Sequence, residues 1–392
     1  LGIENKKVMV LGGGIAGLTA AWELSRAGVA VELVERADFL GGHAIQYACK
    51  ATDTCQQCGA CAVESTLKRV VGAPNINVHL AKEVGSVTQK DGFSVNLKAA
   101  PAPEKATCGG AYEDTPGACA ALHGWSKHNA GFYAADGKLA PAKAGKADTL
   151  SVDAVVVATG FTPFDAKEKS TYRYGELANV VTGLDLERAK RAHGRLVRPS
   201  DGEAPEKIAF IQCVGSRDER LGHLWCSQVC CPYALRSALA AKHQSPELEV
   251  TIFYMDIQNT TNNFPRFYQQ CKEGFRFVRS IPVDMYEAEE GRVRTRFMAE
   301  GDDAAVDEEF DLVVLSVGIM PGEGNKALAE TLGLTLGGDG FVQSSDKLDT
   351  ARSGVDGIFL AGTVTGPRTI AGSMAQAGQS ACDVVNYLGG GS

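Results

Sequence analysis

No stretch of this 392-residue chain approaches the roughly 20 consecutive apolar residues that a membrane-spanning helix needs, so no direct membrane span is expected. The opening residues, LGIENKKVMVLGGG, hold no charged-then-apolar leader and run almost directly into a strand, which places the expected location inside the cell. Positive charge is also short. With 39 Lys and Arg against 47 Asp and Glu, the net charge of −8 argues against nucleic acid or an anionic lipid surface as the main partner. No Ser/His/Asp constellation or carboxylate pair suggests hydrolysis. Cysteine is what the chain has in excess: 12 is a high count where structural disulfides are disfavoured. Eight of them form two groups, Cys49, Cys55, Cys58 and Cys61, then Cys213, Cys226, Cys230 and Cys231. Such clustering favours metal or redox cofactors over disulfides.

The segment KKVMVLGGGIAGLTAAWELSRAGVAVELVER reads as strand, tight turn, helix and strand. Gly12, Gly14 and Gly17 complete G-x-G-x-x-G: the first permits the turn, the second admits a pyrophosphate, and the third lets helix pack on strand. The helix N-terminus offers unpaired N–H groups and a positive dipole end to the phosphates. Glu35, at the end of the second strand and followed by Arg36, stands where an acid accepts both ribose hydroxyls.

The LGGH turn at 40–43, with Gly42, is similar to that of two-dinucleotide flavoproteins, which favours FAD over NAD here. DAVVVATGF at 153–161, ending in Ala158, Thr159 and Gly160, resembles the strand-to-linker motif of the same superfamily. DLVVLSVGIMP at 311–321 looks like its counterpart in a second domain. The stretch 355–388 resembles the C-terminal FAD motif, with Thr363 replacing the usual acid after Gly362. The expected fold is therefore α/β, with two Rossmann-like domains of the thioredoxin-reductase type and a discontinuous FAD domain. That domain takes residues 1–165 and 330–392, including a cysteine-rich loop at 49–61 and an irregular insertion at 101–148. Residues 166–329 form the second.

The second domain lacks the glycines it needs. After the strand EKIAFIQC comes CVGSRDERLGHLWCSQVCC, without G-x-G-x-x-G, so NAD(P)H is not expected there. Cys213 ends a strand while Cys226, Cys230 and Cys231 lie at the start of the next helix. Strand end and helix start are neighbours at such a turn, so four thiolates can converge where phosphates would have sat. Adjacent Cys230 and Cys231 followed by Pro232 suit a [4Fe–4S] cluster; zinc and plain core burial are the competing readings. The first group, C-x5-C-x2-C-x2-C, is ferredoxin-like in its two C-x2-C steps, with Cys49 as fourth ligand to a second [4Fe–4S] cluster. Zinc and thiol–disulfide chemistry compete there. Cys108, Cys119, His123 and His128 are weaker ligand candidates, and Cys271 and Cys382 are expected to be structural. NNFPRFYQQCKEGFRF reads as core packing before partner surface.

Together LGGGIAGLTAAWEL, YACKATDTCQQCGAC, QCVGSRDERLGHLWCSQVCCPYALRSA and AGTVTGPRTIAGSMAQA resemble the A-subunit family of heterodisulfide reductases. Within it the resemblance is greatest to the A subunits of quinone-interacting membrane-bound oxidoreductases of sulfate-reducing prokaryotes. The resemblance implies FAD and iron–sulfur clusters in a multi-subunit complex. It further implies three partners: adenylylsulfate reductase, a homologous flavin/iron–sulfur subunit, and a quinone-interacting membrane subunit of the same complex. The chain would then be cytoplasmic and peripheral to the inner face of the membrane. Electron confurcation is an expectation taken from the resemblance. A self-contained NAD(P)H-dependent reductase and a structural subunit with an inert flavin are the other readings.

Overall fold

Short, uninterrupted apolar runs build the two sheets. Ala154–Val157 (AVVV) is buried at every position, as is most of Lys207–Val214, the pattern of parallel strands covered on both faces. The computed structural model describes residues 2–101, 148–258, 264–298, 301 and 304–390. Its described α-helices are, in chain order, α1 (Ile15–Arg26), α2 (Ala60–Val71), α3 (Gly183–His193), α4 (Cys230–Gln244), α5 (Phe264–Gly274), α6 (Asn325–Leu332) and α7 (Ile370–Leu388).

The first sheet has five parallel strands in the order Ile358–Leu360, Ala154–Val157, Lys7–Leu11, Ala30–Val34, Ile76–His79. The second repeats the plan: Val180–Thr182, Leu312–Val317, Lys207–Val214, Glu249–Phe253, Arg276–Val278, again all parallel. The first sheet starts at its centre, Lys7–Leu11, and steps outward through two strands; the second is entered at its edge strand, Val180–Thr182, and then does the same from Lys207–Val214. The chain then makes a three-stranded antiparallel excursion before a further strand returns beside the central one. The excursions comprise Lys82–Lys90, Gly92–Ala99 and Thr149–Val152 in one unit, and Asp284–Glu287, Val293–Met298 and Ala305–Phe310 in the other. The units are joined where Phe161–Pro163 pairs antiparallel with Ile319–Pro321. This is an α/β fold of two Rossmann-like units, as expected from the sequence.

One boundary differs. The sequence predicts residues 166–329 as the second domain, yet α6 sends Leu328 and Leu332 into the core formed by Met9, Val155 and Leu360 of the first sheet. The chain thus re-enters the first unit after Pro321 rather than at residue 330. The aromatic stretch around α5 is core: Phe264, Cys271 and Phe275 are buried, with Phe267 and Tyr268 packed against that cluster. Cys382 departs from expectation; it lies on the exposed face of α7 and carries no core packing. Cys108, Cys119, His123 and His128, and nearly all of the 101–148 insertion, lie outside the described residues.

Candidate dinucleotide and cysteine sites

The first turn is built by close approach. Gly12 has φ +106°, and a Cβ there would lie 2.4 Å from the Ala158 carbonyl oxygen. A Cβ on Gly17 would lie 1.8 Å from the Gly12 carbonyl oxygen, so α1 can sit on its strand only with glycine at that position. Gly14 differs: nothing lies within 4 Å of its would-be Cβ. Open space beside the backbone at the N-terminus of α1 is what an approaching pyrophosphate requires. Gly42 packs over this turn, its would-be Cβ 3.1 Å from the Gly14 Cα, and the Gly41 N–H donates to the Gly13 carbonyl at 2.7 Å.

Glu35 accepts from the Gly13 N–H at 2.6 Å and the Ala37 N–H at 2.8 Å, which orients its carboxylate at the turn. Burial raises its pKa, with those N–H groups and Arg36 opposing the rise. Arg36 itself is exposed. Gly160 lies beyond the returning strand with φ +81° and open space around its would-be Cβ. Gly362 (φ +77°) packs against Ala16 of α1, where a Cβ would be 2.6 Å from the Ala16 Cβ. Thr363 is buried beside it. The dinucleotide candidates from both ends of the sequence thus meet across α1.

In the second unit the central strand changes register with its neighbour between Ile211 and Val214, and Cys213 there takes φ +60°. This left-handed residue turns the strand end toward α4. Gly215 (φ +78°) has no room for a side chain, because its Cβ would fall 2.1 Å from the Phe164 ring. Cys213, Cys230 and Cys231 form one buried cluster against Met255 and Ile257. The Cys230 thiol stands between the other two. Hydrogen bonds to Cys213 and Cys231, together with burial, push it well above the usual thiol range. The same bonds hold Cys213 and Cys231 below that range, with Arg217 assisting at Cys213. Cys226 is half-buried, and burial raises its pKa, with the charges of Cys213 and Cys231 adding to the rise and the Gln228 N–H and Arg217 opposing it. Three of the four predicted positions, Cys213, Cys230 and Cys231, are thus gathered in one cluster at the turn, and Cys226 lies nearby. Arg217 pairs with Asp256 at 2.6 Å beside them.

The first group is arranged differently. Cys49, Cys55 and Cys61 are exposed and Cys58 half-exposed, and no hydrogen bond joins the four thiols among the described residues. A local device is nevertheless common to both groups. The Gln57 N–H donates to Cys55 Sγ at 3.4 Å with Gln57 at φ +53°; the Gln228 N–H donates to Cys226 Sγ at 3.3 Å with Gln228 at φ +61°. Each sulfur thus accepts from the amide two residues on, a bond that strengthens when the sulfur is an anionic ligand. The donor chemistry fits thiolate ligation. Among the described residues no three Cys, His, Asp or Glu side chains are drawn together as a site for a single metal ion. The Cys49–Cys61 loop lies against α7, where a Cβ on Gly59 would be 3.1 Å from Ile370. Side chains of α3 and α4 fasten it and its lead-in to the second unit by three contacts. Glu187 of α3 pairs with Lys50 at 2.6 Å and accepts from the Ala48 N–H at 2.8 Å. Arg236 of α4 donates to the Gln56 carbonyl at 2.8 Å.

Several of these residues escaped the sequence reading. Gln376 of α7 accepts from the Gly362 N–H at 2.8 Å and donates to the Thr350 carbonyl, fixing the turn beside Thr363. His43 lies against Phe161, 3.1 Å from its carbonyl oxygen. Arg236 did leave a signal: a lone arginine in the apolar run PYALRSALAA.

A model of the NAD(P)-binding Rossmann-like domain matches residues 10–61. The chain is 32% identical over 434 aligned residues to the second iron–sulfur A subunit of CoB–CoM heterodisulfide reductase in Methanopyrus kandleri, covering 98% of this chain and 65% of that one. It is 39% identical over 239 residues to the A subunit of the H(2):CoB-CoM heterodisulfide,ferredoxin reductase of Methanothermobacter thermautotrophicus, covering 59% of this chain and 36% of that one. The chain thus spans about a third to two thirds of the length of these curated relatives. Among solved structures, the thioredoxin reductase of T. acidophilum superposes with a TM-score of 0.59 at 15% identity, covering 99% of this chain and all of that one. That likeness is one of fold. Over nearly its whole length the chain is thus similar, at 31–33% identity, to A subunits of heterodisulfide reductases.

Proposed function

We propose that this chain is the FAD- and iron–sulfur-carrying electron-transfer subunit of a multi-subunit oxidoreductase. The observation that carries the reading is the buried cluster of Cys213, Cys230 and Cys231, with half-buried Cys226 nearby, at the turn where a second dinucleotide would bind. The scaffold of a nucleotide-fed reductase is kept, and its second phosphate cradle is replaced by thiols. Gly12, Gly14, Gly17 and Glu35, with Arg36 and Gly42 beside them, would hold the adenosine diphosphate half of FAD. Gly160, Gly362 and Thr363 would lie near the flavin and its phosphates. Cys49, Cys55, Cys58 and Cys61 would ligate one [4Fe–4S] cluster and the second four cysteines another. Flavin takes electrons in pairs and such clusters carry them singly, so the two together convert between the modes.

The chain's own groups serve that conversion by insulation and by charge. Cys213, Cys230 and Cys231 are shielded from water, Arg217 supplies positive charge beside the second site, and the amides of Gln57 and Gln228 point at sulfur. The motif resemblance supports a finer reading: relay between a membrane quinone pool and adenylylsulfate reductase in sulfate respiration, by electron confurcation. In that setting the chain is cytoplasmic and reaches the inner face of the membrane through a quinone-interacting subunit, beside a homologous flavin/iron–sulfur subunit. No described helix is long and apolar enough to cross a membrane.

Rapid-mixing reduction tests the reading. NADH and NADPH should leave the flavin oxidised, whereas reduced partner complex should bleach flavin and cluster absorbance together. Rapid bleaching by NADH alone would favour a self-contained reductase. A flavin that no donor reduces within the assembled complex would favour a structural subunit.

A further inference from the structure

Arg236 is the one arginine of α4, 8% exposed, and placed two turns beyond Cys230 on the same helix. A buried guanidinium stays charged and is expected to face an anion. Here no carboxylate does. Among the described residues Arg236 makes one hydrogen bond, to the Gln56 carbonyl, and stacks over the Phe267 ring at 5.4 Å; it forms no ion pair. Burial pushes its pKa below the usual value, and the ionisable groups opposing that shift are the thiols of Cys58, Cys271 and Cys55. Cys271 is not the missing anion, because burial pushes its own thiol up to about 12. The comparable cation at the other cysteine group, Arg217, already has its carboxylate in Asp256. Lys50, next to Cys49, already has Glu187. Among the described residues a positive charge is thus left without an ion-pair partner beside Cys55 and Cys58, on the far unit from the loop that carries them.

We propose that Arg236 is the counter-cation of a thiolate-ligated cluster held by Cys49, Cys55, Cys58 and Cys61, docking the loop through Gln56 and raising the potential of that cluster. The inference rests on the reading that this loop holds a [4Fe–4S] cluster. Such a cluster with four thiolates is a net anion, and gains one further negative charge when it accepts an electron; Arg236 stays protonated throughout. A fixed cation favours the more negative form and so makes reduction easier. Arg236 is therefore a positioning residue, and it makes the first site sensitive to how the two units are docked.

EPR-monitored potentiometric titration of the anaerobically purified protein decides the matter, with the loop signal identified by its loss in Cys58→Ser. Arg236→Met should shift the midpoint of that signal to lower potential and leave the other cluster signal in place. Arg236→Lys, which keeps the charge, should return the midpoint toward wild type. An unchanged midpoint in Arg236→Met would overturn the proposal, as would equal shifts in the Met and Lys variants, which is what a purely structural role gives. If Arg236→Met takes up no loop iron, Arg236→Lys decides: loading near the wild-type midpoint supports the proposal, and failure to load overturns it. A wild-type protein with no signal dependent on Cys58 would instead overturn the cluster reading itself, and this inference with it.

Discussion

Glu187→Ala should be among the most destabilising substitutions in the chain. Glu187 and Lys50 are each 3% exposed and meet at 2.6 Å, while the same carboxylate accepts from the Ala48 N–H at 2.8 Å and from Ser237 Oγ at 3.3 Å. Alanine removes all three contacts. It strands the Lys50 ammonium in the interior with the Ala48 carbonyl, 3.2 Å away, and the face of the Tyr47 ring, 5.4 Å away, but no counter-charge among the described residues. Removing one partner of a buried pair costs about 3–5 kcal/mol, chiefly because the other charge is left uncompensated. Lys50→Met should cost less, because Glu187 keeps two donors. The double variant Lys50→Met/Glu187→Leu should recover most of the loss, since replacing both charges with apolar groups is often neutral. Denaturant unfolding followed by tryptophan fluorescence provides the measurement. Trp22 lies in α1 of the first unit and Trp225 packs in the second. As the pair joins the cysteine loop of one unit to the other, Glu187→Ala should also separate the two unfolding transitions. A cost below about 1 kcal/mol, the range of an exposed pair, would refute the reasoning. So would a double variant as unstable as the sum of the singles.

Two glycines of one motif should respond in opposite ways. Gly17→Ala drives a Cβ to 1.8 Å from a backbone carbonyl and should lower stability by at least about 1–3 kcal/mol, seen in thermal unfolding. Gly14→Ala meets nothing within 4 Å and should unfold within about 0.5 kcal/mol of wild type, yet retain less flavin after gel filtration. Full flavin retention in Gly14→Ala would show that no pyrophosphate approaches there. Acid stability should depend on Glu32. Burial alone would raise its carboxyl, but hydrogen bonds from His79 at 2.7 Å and Asn77 at 3.1 Å, with Lys7 nearby, outweigh burial and hold it below its ordinary value of 4.5. A depressed carboxylate stabilises the fold above its unfolded pKa and ceases to do so as pH falls through its folded one. Stability measured against pH should therefore decline below about 4.5, and less steeply in Glu32→Gln.

What the sequence made legible was local or forced by topology. The fingerprint around Gly12 could be read because strand, turn and helix are contiguous and each glycine has its own steric task. The meeting of Cys213 with Cys230 and Cys231 was legible for a related reason: a Rossmann-like strand end and the next helix start are neighbours whatever the intervening loop does. Long-range polar contacts were not. Glu187 reaches Ala48 across 139 positions and Arg236 reaches Gln56 across 180, and no periodicity marks such partners. The predicted boundary at residue 330 cuts through α6, because nothing local in the sequence says which core will bury Leu328 and Leu332. Cys382 misled similarly, since cysteine is buried often enough that one on a helix reads as core.

Iron and acid-labile sulfide per flavin, determined on anaerobically purified protein with an EPR spectrum after reduction, test the central claim most directly. About eight irons per FAD, falling to about four when Cys226 and Cys230 are replaced by serine, is the result the account predicts. Near-zero iron, with zinc or free thiols at both cysteine groups, would contradict it.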